Sequence, residues 1–342
     1  MFTAPTGHGS RDADVPLRAV APDPSLTLSV VVPCYNEEDV LAELERRVVA
    51  VCEKVAPGSY EIVLVNDGSS DRTASLIAEM AARNPAAVGV DLARNYGHQI
   101  ALTAGLAFAR GQRIFVIDAD LQDPPELLPE MMAKMDSGAN VVYGRRVDRR
   151  GESRFKVRSA HFFYRLLDRL TDIKVPVDTG DFRLMDRKTL DVLLSMPEQY
   201  RFLRGMVAWI GMRQEEIAYE RAERFAGETK YPFRKMVVLA IDAITGFSLA
   251  PLRFSFFLAI AFLFVALGLM IYVLVGYFFF EAVRGWASIL LLFLVFASLQ
   301  LFCLSIVGEY VGRTYMQTKN RPLFVVNQIV TSPRTTPPRP PA

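Results

Sequence analysis

Ile114-Phe115-Val116-Ile117-Asp118-Ala119-Asp120-Leu121-Gln122-Asp123-Pro124-Pro125 is the stretch on which the reading of this chain turns. It opens with four apolar residues, mostly β-branched or aromatic, the pattern of a buried strand. Two carboxylates follow, one residue apart, where that strand ends. Pro124-Pro125 then stops the ladder, because proline cannot donate to it. Residues i and i+2 of a strand point to the same side. Asp118 and Asp120 therefore converge just beyond the sheet and repel each other unless a cation lies between them. A hard divalent ion suits oxygen ligands, and Mg²⁺ commonly shares such a site with substrate phosphates. The plainer alternative for an isolated Asp-x-Asp is a solvated acidic turn.

The flanking sequence favours the ion. Strands are predicted at 26–32, 60–65 and 87–92, separated by helices over about 40–55 and 72–83, with another helix running to Arg110 before the acidic strand. Alternation at this pitch means parallel βαβ units, an α/β fold with a mostly parallel sheet. Ligands bind such open sheets beyond the carboxyl ends of the strands. Those ends carry Tyr35-Asn36-Glu37, Asn66-Asp67-Gly68, Arg94-Asn95 and Asp118-Ala119-Asp120, so all are expected to face one crevice. The chain has neither G-x-G-x-x-G nor G-x-x-x-x-G-K-[ST], which excludes a dinucleotide fingerprint and a P-loop. A further strand, 140–144, leads into a basic run that includes Arg145, Arg146, Arg149, Arg150, Arg154 and Arg158. Arginine grips phosphate with a fork of donors. For any one of these arginines, and above all Arg149 and Arg150, a solvated basic face is the ordinary explanation. A helix is expected over 187–196 and a last strand over 214–219.

The chain has 342 residues, enough for about two domains. Its mean hydropathy of +0.21 is high for a soluble protein, and the excess lies towards the C-terminus. The net charge of +2 argues for no nucleic-acid partner. The three cysteines have no C-x-x-C spacing, so neither a disulfide framework nor a zinc site is expected. Residues 1–25 are polar, with no apolar core of a secretory signal, and read as a disordered tail. A catalytic domain follows over 26–232. Residues 233–250 read as an amphipathic helix in a membrane interface. Two uncharged stretches, about 254–280 and 285–308, each exceed the ~20 residues that span a bilayer. Their flanking Lys and Arg residues put both termini on the cytoplasmic side of the plasma membrane. A cytosolic segment with a Pro-rich tail, 314–342, completes the chain.

Five motifs in order carry a family resemblance: Val-Val-Pro-x-Tyr-Asn-Glu-Glu (31–38), Val-Asn-Asp-Gly-Ser-Ser-Asp-Arg-Thr (65–73), Arg-Asn-Tyr-Gly-His-Gln (94–99), Asp-Ala-Asp-Leu-Gln-Asp-Pro-Pro-Glu (118–126) and Asp-Thr-Gly-Asp-Phe-Arg-Leu-Met-Asp-Arg (178–187). With the C-terminal hairpin, the chain resembles family 2 glycosyltransferases of the GT-A fold. Among them it is similar to the polyprenyl-phosphate type, bacterial GtrB and relatives of dolichol-phosphate mannose synthase. The resemblance implies inverting transfer of a sugar from a nucleotide sugar, UDP-glucose for example, to a polyprenyl phosphate such as undecaprenyl phosphate, for cell-envelope glycosylation. It implies Mg²⁺ or Mn²⁺ as cofactor, and a homotetramer. Position by position it implies that Pro33, Tyr35, Asn36 and Glu37 bind the nucleotide and that Asp67 lies near the base. Asp118, Ala119, Asp120 and Gln122 would meet the diphosphate, with Asp118, Asp120 and Gln122 on the metal. Arg145, Arg146 and Arg158 are the candidates for the acceptor phosphate. Asp178 and Asp181 fall in an expected acceptor-side loop as catalytic candidates. One departure is Asn66, where the family usually has a second Asp before Asp67.

Rival readings are a GDP-mannose-dependent synthase, a processive polysaccharide synthase, a nucleotidyltransferase and a silent membrane scaffold. Gln199-Tyr200-Arg201-Phe202-Leu203-Arg204 does not match the Gln-x-x-Arg-Trp of a processive enzyme. A nucleotidyltransferase needs no membrane hairpin, and an intact Asp118 and Asp120 speak against a scaffold.

Overall fold

A computed structural model describes residues 20–147, 179–220, 245–246, 248–279 and 285–332. Arg149, Arg150, Arg154, Arg158, Asp178, most of 233–250 and the Pro-rich tail 333–342 lie outside the described residues. The chain divides into two compact units, one holding the described residues up to 147, 179–220 and 322–332, the other those from 245 to 321.

The first unit is a sheet flanked by helices. Its elements are β1 (Leu28–Cys34), α1 (Leu41–Val55), β2 (Tyr60–Asn66), α2 (Thr73–Arg83), β3 (Ala87–Leu92), α3 (His98–Phe108), β4 (Arg113–Val116), α4 (Leu128–Asp136), β5 (Val141–Arg146), β6 (Thr179–Asp186), α5 (Arg187–Ser195), α6 (Leu203–Ile210), β7 (Gln214–Tyr219) and β8 (Val326–Thr331). The strand order is β7-β5-β6-β4-β1-β2-β3-β8. β1 pairs in parallel with both β2 and β4, β2 with β3, and β5 with β7. The sheet is mostly parallel, as the alternation of elements predicts.

β1 and β2 are buried along their whole length, as strands covered on both faces must be. α1 covers one face with Leu41, Leu44, Val48, Val51 and Cys52, a helical stripe. α3 covers the other with small residues. A Cβ on Gly105 would collide with Val31 Cγ1 and come within 3.0 Å of Val65 Cγ2, so the helix backbone rests directly on β1 and β2. Glu61 is the charged residue this packing tolerates. It is 2% exposed, near the amino end of β2. Ser29 Oγ donates to it at 2.6 Å, and the Arg110 amide and Nε donate at 2.6 and 2.8 Å. A buried carboxylate persists only when it is bonded on this scale.

Two features depart from expectation. The segment expected as an acceptor-side loop is β6, which pairs antiparallel with both β4 and β5 and lies inside the sheet. Alternating buried apolar residues, Phe182 and Leu184, stabilise it there, and Phe182 meets Phe115 edge-on at 5.3 Å. β8, within the expected C-terminal cytosolic segment, pairs antiparallel with β3 and forms the edge strand on that side of the sheet.

The second unit contains α7 (Ala250–Phe279) and α8 (Trp286–Thr318). Ala250–Tyr272 and Leu292–Thr318 are each long and apolar enough to cross a membrane. Phe262 and Phe296 meet edge-on at 5.3 Å, and Tyr310 Oη donates to the Ser248 carbonyl at 2.5 Å. α8 runs past the expected end of the apolar stretch. Glu309 and Arg313 pair along it at 2.8 Å. The helix stops only near Asn320, whose φ of 45° is left-handed, just before Arg321-Pro322. Charge ends the apolar span, but only backbone chemistry ends the helix.

Candidate active site

The carboxyl ends of β1, β2, β3 and β4 carry the polar turns the sequence points to, and hydrogen bonds knit them together. The Asn36 amide donates to Ser69 Oγ at 3.0 Å, the Ser70 amide donates to Asn36 Oδ1 at 2.9 Å, and the Glu37 amide donates to Thr73 Oγ1 at 2.8 Å. The turn after β1 is thus docked on the turn after β2. Asn36 holds φ at 53°, a left-handed conformation that Asn tolerates better than most residues. Pro33 is buried within β1, and Tyr35 is exposed.

Asp67 is buried, and its two oxygens accept from the Tyr96 amide at 2.7 Å and the Gly97 amide at 2.9 Å. It therefore holds the 94–97 turn against the end of β2. Burial pushes its carboxyl up, and the two amides and the charges of His98 and Arg94 oppose that. Gly68 makes this closeness possible. Its φ is +63°, and a Cβ would sit 2.5 Å from Arg94 C and Asn95 N. Gly68→Ala is expected to destabilise the protein by about 3 kcal/mol, strain and overpacking together. A melting temperature within 2 °C of the parent would refute that.

Asn66 has a local explanation. Its Nδ2 donates to Asp91 Oδ1 at 2.6 Å, and Asn327 Nδ2 of β8 donates to Asp91 Oδ2 at 2.8 Å. An aspartate at 66 would set two carboxylates against each other, so the amide answers to Asp91.

Asp118 and Asp120 flank Ala119, which is 4% exposed and packed in the core. The alternation predicted from the strand thus continues through the turn, and Ala119 contributes main chain only. Leu121 takes a left-handed φ of 56°, and the Gln122 amide donates to Asp120 Oδ1 at 3.2 Å. A buried leucine in that conformation is strained, and strain of this kind collects where a turn must present particular atoms. Asp118 Oδ1 is buried without a hydrogen-bond partner, 3.6 Å from His98 Nε2. Burial drives its carboxyl up to about 6; His98 opposes this, and the charges of Asp181, Asp123 and Asp120 reinforce it. Among the described residues no three His, Cys, Asp or Glu side chains form a complete cation cage. Two carboxylates, one with an orphaned oxygen, and the Gln122 amide are an oxygen set that suits a divalent ion whose other ligands come from a substrate phosphate.

Behind Asp118 lies a cluster the sequence does not announce. Asp181, 1% exposed on β6, accepts from His98 Nε2 at 3.0 Å, Gln99 Nε2 at 3.0 Å, and Arg204 Nε and Nη2 at 2.9 and 3.2 Å. Burial alone would raise its carboxyl; Arg204 and His98 override that and hold it well below the usual carboxylate range. Burial lowers His98, but Asp118 and Asp181 prevail and raise it to about 9. Gln99 also accepts from the Leu203 amide at 3.0 Å, which ties the start of α6 to α3. His98 and Gln99 close a motif visible in the sequence, whereas nothing local to Arg204 signals its partner across 23 residues.

Strand alternation separates the two basic candidates on β5. Arg145 pairs with the exposed Glu216 at 2.9 Å. Arg146 turns to the other face, where Nη2 lies 3.5 Å from Asp123 Oδ2. Arg158 and Asp178 lie outside the described residues.

Comparison with known proteins gives this crevice a family. The family model for glycosyl transferase family 2 matches residues 29–194. Over 303 residues the chain is 45% identical to a Bacillus subtilis (strain 168) protein named Uncharacterized glycosyltransferase YkcC, covering 88% of this chain and 93% of that one. The chain belongs to glycosyl transferase family 2. This glycosyltransferase is also 37% identical over 309 residues to the Prophage bactoprenol glucosyl transferase homolog of Escherichia coli (strain K12), covering 89% and 99% of the two chains. Among solved structures, glucosyl-3-phosphoglycerate synthase from Mycobacterium tuberculosis aligns with 68% of the glycosyltransferase and 86% of its own chain, at 18% identity and a TM-score of 0.45.

Proposed function

We propose that this glycosyltransferase moves glucose from UDP-glucose to undecaprenyl phosphate, with inversion, at the cytoplasmic face of the plasma membrane. The observation that carries the reading is the pair Asp118 and Asp120, which flank the buried Ala119 just past β4, with Asp118 Oδ1 buried and accepting no hydrogen bond, in a chain that also has two helices able to cross a membrane. Relatives named bactoprenol glucosyl transferase, 37% identical over 98% of their length, support the sugar and the lipid.

Asp118, Asp120 and Gln122 hold Mg²⁺ or Mn²⁺ in this reading. The ion supplies charge that stabilises the leaving diphosphate. The turn Tyr35-Asn36-Glu37, following Pro33, and the turn that Asp67 holds form the walls of the nucleotide pocket. An acceptor phosphate monoester is largely ionised near neutral pH, since its second pKa is about 6. Its oxygen attacks the anomeric carbon with little help from a base, so the protein chiefly orients the two substrates. Arg146 and Arg158 grip the acceptor phosphate, and Arg145, engaged with Glu216, stands aside. Asp178 contacts the sugar or the acceptor. Asp181 acts at one remove: its oxygens hold His98, Gln99 and Arg204, and His98 in turn faces Asp118. α7 and α8 anchor the chain, both termini are cytoplasmic, and the enzyme assembles as a homotetramer.

Membranes carrying the full-length enzyme, given radiolabelled UDP- and GDP-sugars with undecaprenyl phosphate and Mg²⁺ or Mn²⁺, test the reading. Label from UDP-glucose is expected in the organic phase, and EDTA is expected to abolish it. Label from GDP-mannose instead would replace the donor, and no label from any donor would overturn the activity.

A further inference from the structure

Arg146 is seated on two buried groups that the proposed reaction does not consume. Asp123, one residue beyond the Gln122 amide, is fully buried. Tyr219, at the end of β7, is 6% exposed, and its ring packs on Phe182 at 5.5 Å. The Tyr219 hydroxyl donates to Asp123 Oδ1. Arg146 Nε donates to the same hydroxyl at 3.2 Å, and Arg146 Nη2 lies 3.5 Å from Asp123 Oδ2. The parallel register of β5 and β7 sets Arg146 opposite Tyr219, so the contact follows from the sheet itself. β6 is bare where the guanidinium crosses it. A Cβ on Gly180 would lie 2.6 Å from Nη2 and 3.4 Å from Cζ.

Burying a carboxylate is costly, and a fully buried Asp123 calls for a reason beyond packing. The reason on view is a two-point seat. Two contacts on one edge of a planar guanidinium fix its position and its roll together. A free arginine must be ordered when it meets an anion, and a seated one is ordered beforehand. The Arg146 side chain keeps 23% of its surface exposed, so it remains within reach of a ligand.

We propose that Asp123 and Tyr219 are positioning residues that hold the Arg146 guanidinium ready for the phosphate of the acceptor, with Gly180 leaving the space this pose needs. The proposal rests on the reading of Arg146 as a phosphate-binding residue.

Tyr219→Phe, Arg146→Ala and the double variant of the full-length enzyme, reconstituted in lipid, test it with undecaprenyl phosphate and UDP-glucose. Tyr219→Phe keeps the ring against Phe182 and removes only the hydroxyl. It is expected to raise KM for undecaprenyl phosphate about tenfold, the usual order for a hydrogen bond to a charged group. KM for UDP-glucose should stay within about twofold, a split that a merely structural residue would not produce. Added to Arg146→Ala, the substitution should have no further effect, because it acts only through that side chain. An unchanged acceptor KM in Tyr219→Phe, or an undiminished effect in the double variant, overturns the positioning role and leaves that of Arg146 intact. An unchanged acceptor KM in Arg146→Ala overturns the phosphate reading and the proposal with it. Gly180→Ala gives an independent arm that leaves Tyr219 and Asp123 in place. It too should raise the acceptor KM and lose its effect in the Arg146→Ala background, and the opposite result overturns the proposal even if Tyr219→Phe does not fold.

Discussion

Asp120→Ala is expected to lower sugar transfer by about a thousandfold or more, the usual loss when a charge that stabilises a developing anion is removed. The reason lies in the turn after β4. Ala119 is buried, so Asp118 and Asp120 are left on the side facing the crevice. Asp120 also braces the turn by accepting from the Gln122 amide at 3.2 Å, across the strained Leu121. Alanine removes the charge of the proposed metal ligand and that brace together. Asp120→Asn keeps the brace and loses the charge, so it separates the two contributions: a severe loss in both variants assigns the effect to charge. The fold should survive, because Asp120 lies at the crevice and not in the core. The measurement is label entering organic-extractable lipid with Mg²⁺ or Mn²⁺ present. A near-parental rate in Asp120→Ala, or a rate indifferent to EDTA, would remove the metal from the mechanism.

Asp181→Ala is expected to destabilise the catalytic unit by about 3–5 kcal/mol, the cost of leaving buried partners of a charge unpaired. Arg204, His98 and Gln99 all donate to this one carboxylate, and the Arg183 guanidinium lies 3.8 Å from it. Removing it leaves the buried Arg183 and the part-buried Arg204 and His98 without their shared counter-charge. For a unit of this size the loss corresponds to a melting temperature lower by about 6–20 °C. Thermal unfolding of the detergent-solubilised protein measures it, and a change under 2 °C would contradict the anchoring role. Asp181→Asn separates this role from direct participation. Asparagine retains acceptor oxygen but sets an NH₂ group among donors, so it too should melt early. A fully stable Asp181→Asn enzyme with no transfer would instead place the carboxylate in contact with substrate.

The sequence of Asp118 to Pro125 carried the essential inference, because a strand followed by i, i+2 carboxylates has few physical meanings. The order of β1 to β4 and the polar turns at their ends were equally legible, since local periodicity and turn chemistry set them. The apolar length of α7 and α8 was legible because hydropathy needs no partner to be read. The segment from Thr179 to Asp186 was not. Its Thr-Gly-Asp opening looks like a turn, and only pairing with β4 and β5 makes it a strand. The same holds for Val326–Thr331, whose partner β3 lies far back in the chain. Long-range pairing has no local signature, because register is set by neighbours that sequence spacing does not reveal. The choice between Arg145 and Arg146 was likewise tertiary: alternation assigns them to opposite faces, but only the sheet's surroundings decide which face holds Asp123 and Tyr219. Sequence alone determined that a strand ends in two carboxylates one residue apart, and that the same chain carries two helices apolar and long enough to cross a membrane. Tertiary structure decided which buried charges hold the residues around them, because those partners are brought together only when the sheet closes.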